Sequence, residues 1–228
     1  LRIFGIMFSV LTVAWVLLGK ERMESKQEVG SSRARLLFSS LRHRDLWLGG
    51  SGFIGTNFVW SSFLSFYPTM MQDTYGFSLR WSGSILAISI MVGGLSGIFL
   101  SYIVMTTGKR KTILVVMGAL MTLTYIGMTL TDSITGLLTL SFLNGIAWGF
   151  YPILYTLPFH IPGLRNREIV VATAAIVTMT ATGTGMGPVF VGILQEILGN
   201  LNQALLIVSF ACLSLSISGL IIKPTTTN

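Results

Sequence analysis

The sequence predicts an all-α polytopic membrane protein, and three observations lead to this fold class. The 228 residues are 52% hydrophobic and only 10% charged, with a mean hydropathy of +0.75, which is more apolar surface than a soluble domain of this size can bury. The apolar residues occur in unbroken runs of about 20, and helices of that length cross a hydrocarbon core about 30 Å thick. Helices also satisfy their own backbone hydrogen bonds in lipid, whereas a membrane β-barrel would show alternating segments of about 10 residues.

Seven apolar runs predict seven transmembrane helices. The first, 1–18, lacks the basic leader and the small-residue cleavage site of a signal peptide, and is therefore predicted to span the membrane. Residues 19–45 form the one long polar segment and are predicted to be a cytoplasmic loop, and residues 223–228 a cytoplasmic tail. The remaining spans are predicted at 46–71, 81–107, 112–131, 134–159, 169–195 and 203–222.

The basic residues are distributed unequally between the two sides of the membrane. When alternate loops are assigned to opposite sides, one side holds only Arg2 and Arg80. The positive-inside rule makes the other side cytoplasmic, so the N-terminus is predicted outside and the C-terminus inside, in a plasma membrane. Anionic lipid accounts for the net charge of +7, and no nucleic-acid partner is expected. The predicted cytoplasmic side holds Lys20, Arg22, Lys26, Arg33, Arg35, Arg42, Arg44, Lys109, Arg110, Lys111, Arg165, Arg167 and Lys223.

The order of one helix, a long loop and six closely spaced helices is not typical of a self-contained helical bundle. It is expected if 46–222 is the second six-helix half of a larger protein. In that case 1–18 is the last span of a missing N-terminal half, and the native start of the chain lies upstream.

Four motifs occur in order along the chain. An aromatic-Pro run and turn, 66–78, is followed by Gly83, and the basic turn Gly108-Lys109-Arg110-Lys111 separates the next two spans. A charged turn, 165–168, precedes the Gly-Pro stretch 183–188, with Gly192 one turn beyond. This pattern resembles the major facilitator superfamily, in which a cytoplasmic loop joins two six-helix halves. The resemblance implies transport of a small solute by alternating access, with helix six at 1–18 and helices seven to twelve at 46–222.

The basic turn departs from the family motif Gly-x-x-x-Asp-Arg-x-Gly-Arg-Arg. Ser101 replaces the first Gly, and Met105 and Thr106 stand in place of the Asp and the Arg. The acid–base latch associated with that motif is therefore not expected here. The remaining residues, Gly108, Lys109, Arg110 and Lys111, are expected to form a tight turn whose cations bind lipid phosphates.

Two stripes of polar and aromatic residues are predicted to line a substrate cavity. Within each stripe the residues are three or four apart, which places them on one face of a helix. The resemblance implies that these helices, seven and ten, line the central cavity; the alternative is that Asn57 and Asn144 bind neighbouring helices. The stripes comprise Asn57, Ser61, Leu64 and Tyr67, with Trp60 at the edge, and Asn144, Trp148, Tyr151 and Tyr155.

Small residues are concentrated in two other spans. Gly93 and Gly97 form a pattern typical of close helix packing, and Pro188 removes one helical hydrogen bond. The resemblance implies that these helices face the other half and rock against it, although helix packing alone would also select glycine. The predicted interhelix and gating positions are Gly93, Gly97, Gly183, Gly187, Pro188 and Gly192.

Charged residues are absent from the interiors of the predicted spans. A proton-coupled carrier usually needs a titrating acid in its pathway, so the coupling group is expected elsewhere, or transport is a uniport or uses another ion. Our hypothesis is that this part of the protein contacts a neutral or amphiphilic part of the substrate. Intramembrane catalysis would need acidic pairs, a Ser–His pair or a metal cluster, so no catalytic residue, metal site or cofactor is predicted.

A seven-helix receptor or scaffold protein is the alternative function. Seven spans with an external N-terminus fit such a protein as well. Receptors of this class commonly have an extracellular disulfide and short early cytoplasmic loops. This chain has one cysteine, Cys212, and its longest loop follows the first span, so the sequence favours a carrier.

Overall fold

The structure, a computed structural model, describes residues 41–161 and 164–222, except the side chains of His160 and Arg167. These ranges contain helices and no strand, which confirms the predicted all-α fold. The predicted elements 1–18 and 223–228, and nearly all of 19–45, lie outside the described residues. The α-helices are α1 (Arg44–Tyr75), α2 (Leu79–Thr107), α3 (Arg110–Leu130), α4 (Ile134–Trp148), α5 (Tyr151–Tyr155), α6 (Asn166–Leu198), α7 (Leu201–Ser209) and α8 (Leu213–Ile221).

Five helical segments in the described ranges are long and apolar enough to cross a membrane. They are α2, α3, the combined segment Ile134–Phe159, Glu168–Leu198 and the combined segment Leu201–Ile221. Helix α1, predicted as a span, has 32 residues and is long enough, but it is less apolar than these five. Its many Gly, Ser and Thr residues explain the lower hydropathy.

The polar residues of α1 are buried inside the bundle and not exposed to lipid. Thr56, Asn57, Ser61 and Ser62 are each at most 5% exposed. The Thr56 hydroxyl donates to the Gly52 carbonyl at 2.8 Å, and the Ser62 hydroxyl to the Phe58 carbonyl at 2.7 Å. Because these groups are satisfied by their own helix, α1 can lie at the centre, packed most extensively against α6 and also against α8 and α2.

Aromatic side chains join α1 to α3 in the core. The rings of Phe63 and Tyr125 lie 4.4 Å apart, and the Tyr67 hydroxyl donates to the Met128 carbonyl at 3.3 Å. Phe63, Tyr67 and Tyr125 are completely buried. Nearer the start of α3, the Ser216 hydroxyl of α8 donates to the Val115 carbonyl at 2.8 Å. Helix α3 is therefore held by contacts with both α1 and α8.

Helices α2 and α4 meet along two matched stripes of small residues. Ser89 and Gly93 on α2, four residues apart, face Ser141 and Gly145 on α4, which are also four apart, and Gly97 faces Pro152 of α5. A Cβ at Gly145 would lie 2.8 Å from the Ser89 carbonyl oxygen, so only glycine permits this approach. The Ser89 and Ser141 hydroxyls lie 2.9 Å apart, and the Ser141 hydroxyl also donates to the Ile85 carbonyl. Small residues and interhelical hydroxyl bonds thus hold this pair together in lipid.

The predicted span 134–159 is interrupted beside α2. Helix α4 ends at Trp148, and α5 begins at Tyr151 after a two-residue turn. Pro152 lacks an N–H and cannot donate to the Trp148 carbonyl, while the Gly149 N–H donates to the Ile146 carbonyl at 3.0 Å. A 3₁₀ turn, Leu157–His160, follows α5. The break places Trp148 and Tyr151 at adjoining helix ends.

Candidate functional site

A cavity of about 720 Å³ lies between α1, α2 and the interrupted α4–α5 segment. This volume is within the range of small-molecule sites. It extends along α2 from Ser89, near the middle of the helix, to Met105, two residues before the helix ends. The lining consists of Asn57, Trp60, Ser89, Ile90, Gly93, Gly94, Gly97, Ile98, Ser101, Tyr102, Met105, Trp148, Tyr151 and Pro152.

Aromatic rings form the wall of the cavity opposite α2. Trp60 and Trp148 meet edge to face with centroids 5.4 Å apart, and Trp148 and Tyr151 are 5.7 Å apart. Tyr151 is in turn 5.1 Å from Tyr155, whose ring packs on Phe53 at 4.9 Å. Aromatic rings in edge-to-face and tilted pairs at these distances attract each other. The wall is therefore a continuous layer of packed aromatic rings.

Hydrogen bonds orient the polar ends of this wall. The Trp148 indole N–H donates to the Tyr125 hydroxyl at 3.2 Å, and the Tyr151 hydroxyl points to Oδ1 of Asn57 at 3.5 Å. The Asn57 amide also donates to the Phe53 carbonyl at 3.0 Å. Asn57 is only 5% exposed, and these bonds offset the cost of burying its amide.

In the structure, some residues of the two predicted stripes line the cavity, and the others contact neighbouring helices. Asn57, Trp60, Trp148 and Tyr151 lie on the cavity lining. Asn144 is turned towards α3, where its amide donates to the Thr124 hydroxyl at 2.9 Å. Tyr155 lies behind Tyr151, Tyr67 is bonded to α3, and the Ser61 hydroxyl lies close to Gly187 of α6.

The amino-acid sequence of the chain matches the model of a known protein family. A sequence model described as Major Facilitator Superfamily matches residues 2–188, more than half of the chain and all of the cavity lining. The chain belongs to the major facilitator superfamily. It is therefore a membrane transporter of the major facilitator type, as the motifs predicted, and the match gives the receptor alternative no support. No curated protein matches the chain at a significant level.

The predicted gating glycines of this major facilitator chain occupy three kinds of environment. Gly93 and Gly97 lie against Trp148 and Pro152, at 3.1 and 3.3 Å from where a Cβ would be. Gly183 and Gly187 lie against the backbone of α1, within the same bundle. A Cβ at Gly192 would meet no atom within 4 Å, so this glycine faces open space. Pro188, next to Gly187, leaves the Thr184 carbonyl without a helical donor.

The basic turn that resembles the major facilitator loop directs one of its three cations inward. Gly108 has a φ of +65°, which favours glycine, and ends α2. The Arg110 side chain is only 9% exposed, and its Nη2 lies 3.4 Å from the Thr156 hydroxyl. Lys109 and Lys111 are exposed. The two lysines can therefore meet lipid phosphates, while Arg110 joins the turn to the end of α5.

The α2 wall of the cavity was not predicted from the sequence. Ile90, Gly94, Ile98, Ser101 and Met105 recur every three or four residues along one face of this helix. That periodicity was present in the sequence, but apolar residues with the same spacing also face lipid. Tyr125, which holds Trp148, lies on α3, where the sequence offered no partner to suggest its role.

Replacing Tyr125 by phenylalanine is expected to release the Trp148 indole. The variant leaves a half-buried indole N–H without its acceptor, which costs about 1 to 3 kcal/mol. We expect a lower free energy of unfolding and a shifted tryptophan emission spectrum. Tyr75→Phe is the matched control, since the Tyr75 hydroxyl donates to the Thr129 carbonyl at 3.1 Å, away from the lining. Identical emission from both variants would contradict a role for Tyr125 in holding Trp148.

Proposed function

We propose that this chain moves a small solute across the membrane by alternating access and that the cavity between α1, α2 and α4–α5 is its part of the solute site. The observation that carries the proposal is the cavity itself, which joins an aromatic wall and a buried amide, Asn57, near the middle of the helices. Carriers bind solute near the bilayer midplane, often beside interrupted helices such as α4–α5.

The described helices act as one half of the carrier, and a second bundle covers α2 and α6. In the most apolar part of each membrane-spanning helix, 33% of the residues of α2 and 28% of those of α6 are buried. The corresponding fraction is 50% for each of the other three spans. The two least buried helices are therefore the ones with most surface left for a partner.

The basic turn Gly108–Lys111 lies on the cytoplasmic side. This orientation follows from the unequal distribution of Lys and Arg over the loops. The cavity reaches Met105, within one helical turn of Lys109, so it extends towards the cytoplasmic end of the bundle.

Cysteine labelling of sealed vesicles in both orientations tests alternating access. Gly94→Cys places a thiol in the cavity without steric conflict, because a Cβ there meets no atom within 4 Å. The native Cys212 is completely buried and should contribute little background. We expect a membrane-impermeant maleimide to reach residue 94 from either side, as the site opens to each in turn. Reaction from one side only would contradict alternating access.

Lys109→Cys serves as the control for orientation. Lys109 is exposed at the turn, so a thiol there should react from the cytoplasmic side alone. Labelling of residue 109 from outside intact cells would contradict the proposed topology.

A further inference from the structure

Polar side chains at the inner end of the cavity direct hydrogen-bond donors into the protein. The Trp148 indole N–H is bonded to Tyr125, and one N–H of the Asn57 amide is bonded to the Phe53 carbonyl. The Tyr151 hydroxyl points to Asn57, and the Ser89 hydroxyl donates to the Ser141 carbonyl at 2.9 Å. These donors are therefore used within the protein, and the oxygen lone pairs and aromatic rings of the same residues remain for a solute.

Among the residues that the structure describes, none of those lining the cavity is charged. An anionic solute would lose its hydration without gaining a Lys, an Arg or a cluster of N–H donors in return, and this is unfavourable. A cation meets a different environment. The ring faces of Trp60, Trp148 and Tyr151 carry partial negative charge, and tryptophan is the strongest such partner. The acceptor atoms Oδ1 of Asn57 and Oη of Tyr151 add to this attraction.

The remaining lining suits an apolar body attached to such a cation. Ile90, Ile98 and Met105 form the α2 side, and the glycines between them leave flat surface. We propose that the solute is an organic cation, an ammonium or similar group on an aromatic or aliphatic body, with the charge at the Trp60–Trp148–Tyr151 wall. This proposal rests on the proposed function and specifies the solute class of the same site.

Two probe ions of similar size and shape and opposite charge test this inference. Tetraphenylphosphonium is the cation and tetraphenylborate the anion, with uncharged triphenylmethanol as a third probe. Binding to the purified full chain in detergent is measured by equilibrium dialysis. We expect saturable binding of the cation, and binding of the anion and the neutral compound at least tenfold weaker.

Substitutions of tryptophan locate the binding. Trp148→Leu is expected to weaken binding of the cation at least tenfold, and Trp148→Phe, which keeps an aromatic ring, to weaken it less. Trp81→Leu is the matched control, because Trp81 is 46% exposed at the start of α2 and does not line the cavity. Thermal unfolding of each variant shows whether it is folded, and Trp148→Phe provides the comparison if Trp148→Leu is not.

The outcomes separate this inference from the proposed function. If the anion or the neutral probe binds as tightly as the cation and depends equally on Trp148, the cavity is a solute site but the preference for cations is wrong. If no probe depends on Trp148 while a cysteine at residue 94 still reacts from both sides, the cation site is wrong and the carrier mechanism stands. If labelling at residue 94 is also confined to one side, the proposed function fails as well.

Discussion

Gly187→Leu is expected to separate α6 from α1 and prevent the bundle from folding. A Cβ at this position would overlap the Phe58 carbonyl oxygen and lie 2.8 Å from the Ser62 hydroxyl oxygen. Overpacking against movable side chains costs about 1 to 3 kcal/mol, but here the obstacle is helix backbone, so we expect a cost at or above the upper end. Gly183, one turn earlier, meets the α1 backbone at Ile54 in the same way. The yield of monodisperse protein and its thermal unfolding midpoint measure the effect.

Gly185→Leu is the matched control on the same helix. A Cβ at Gly185 meets no atom within 4 Å, so the added side chain needs no movement of α1. Leucine is also favoured over glycine inside a helix by up to about 1 kcal/mol. This variant should be at least as stable as the wild type. If Gly187→Leu and Gly185→Leu unfold at the same temperature, the close contact between α1 and α6 does not exist.

Gly94→Trp is expected to abolish transport and leave the fold intact. Gly94 lines the cavity and has open space beside it, so an indole can fill the site without displacing backbone. We expect uptake to fall more than tenfold, because the indole occupies the volume that the solute needs. The measurement is uptake into vesicles of any solute that the wild-type protein accumulates, together with the amount of folded protein.

Gly83→Trp separates blockage from a general effect of a large residue on α2. Gly83 also faces open space, but it is not part of the cavity lining. This variant should transport at nearly the wild-type rate. Normal uptake by Gly94→Trp would show that the solute does not pass through the cavity, and equal loss in both variants would show that the effect is not specific to it.

Helical periodicity predicted which residues share a face, and the structure shows what each face meets. Asn57, Trp60, Trp148 and Tyr151 reach one cavity, although they come from two stripes about 90 residues apart. Asn144 belongs to the same stripe as Trp148 but bonds to Thr124. A stripe on a helix is wide enough to contact two neighbours, and the spacing of its residues does not identify them.

The glycines also show that the sequence does not identify which helix a residue contacts. Gly183, Gly187 and Gly192 are similar in sequence, yet the first two touch α1 and the third faces open space. Gly145, for which no role was predicted, is also tightly packed, because Val92 and Ser89 of α2 lie against it. A glycine shows only that a close approach is possible, and the partner helix decides where it occurs.

The sequence by itself determined that this protein is a helical membrane protein of the major facilitator superfamily, because the length and apolarity of a span are set by the bilayer and the family motifs are local. The tertiary structure alone decided that the least apolar helix, α1, lies at the centre, that α4–α5 is interrupted beside the cavity, and that Tyr125 holds Trp148. These features depend on contacts between distant segments, since lipid and protein interiors are similarly apolar and hydropathy does not distinguish them.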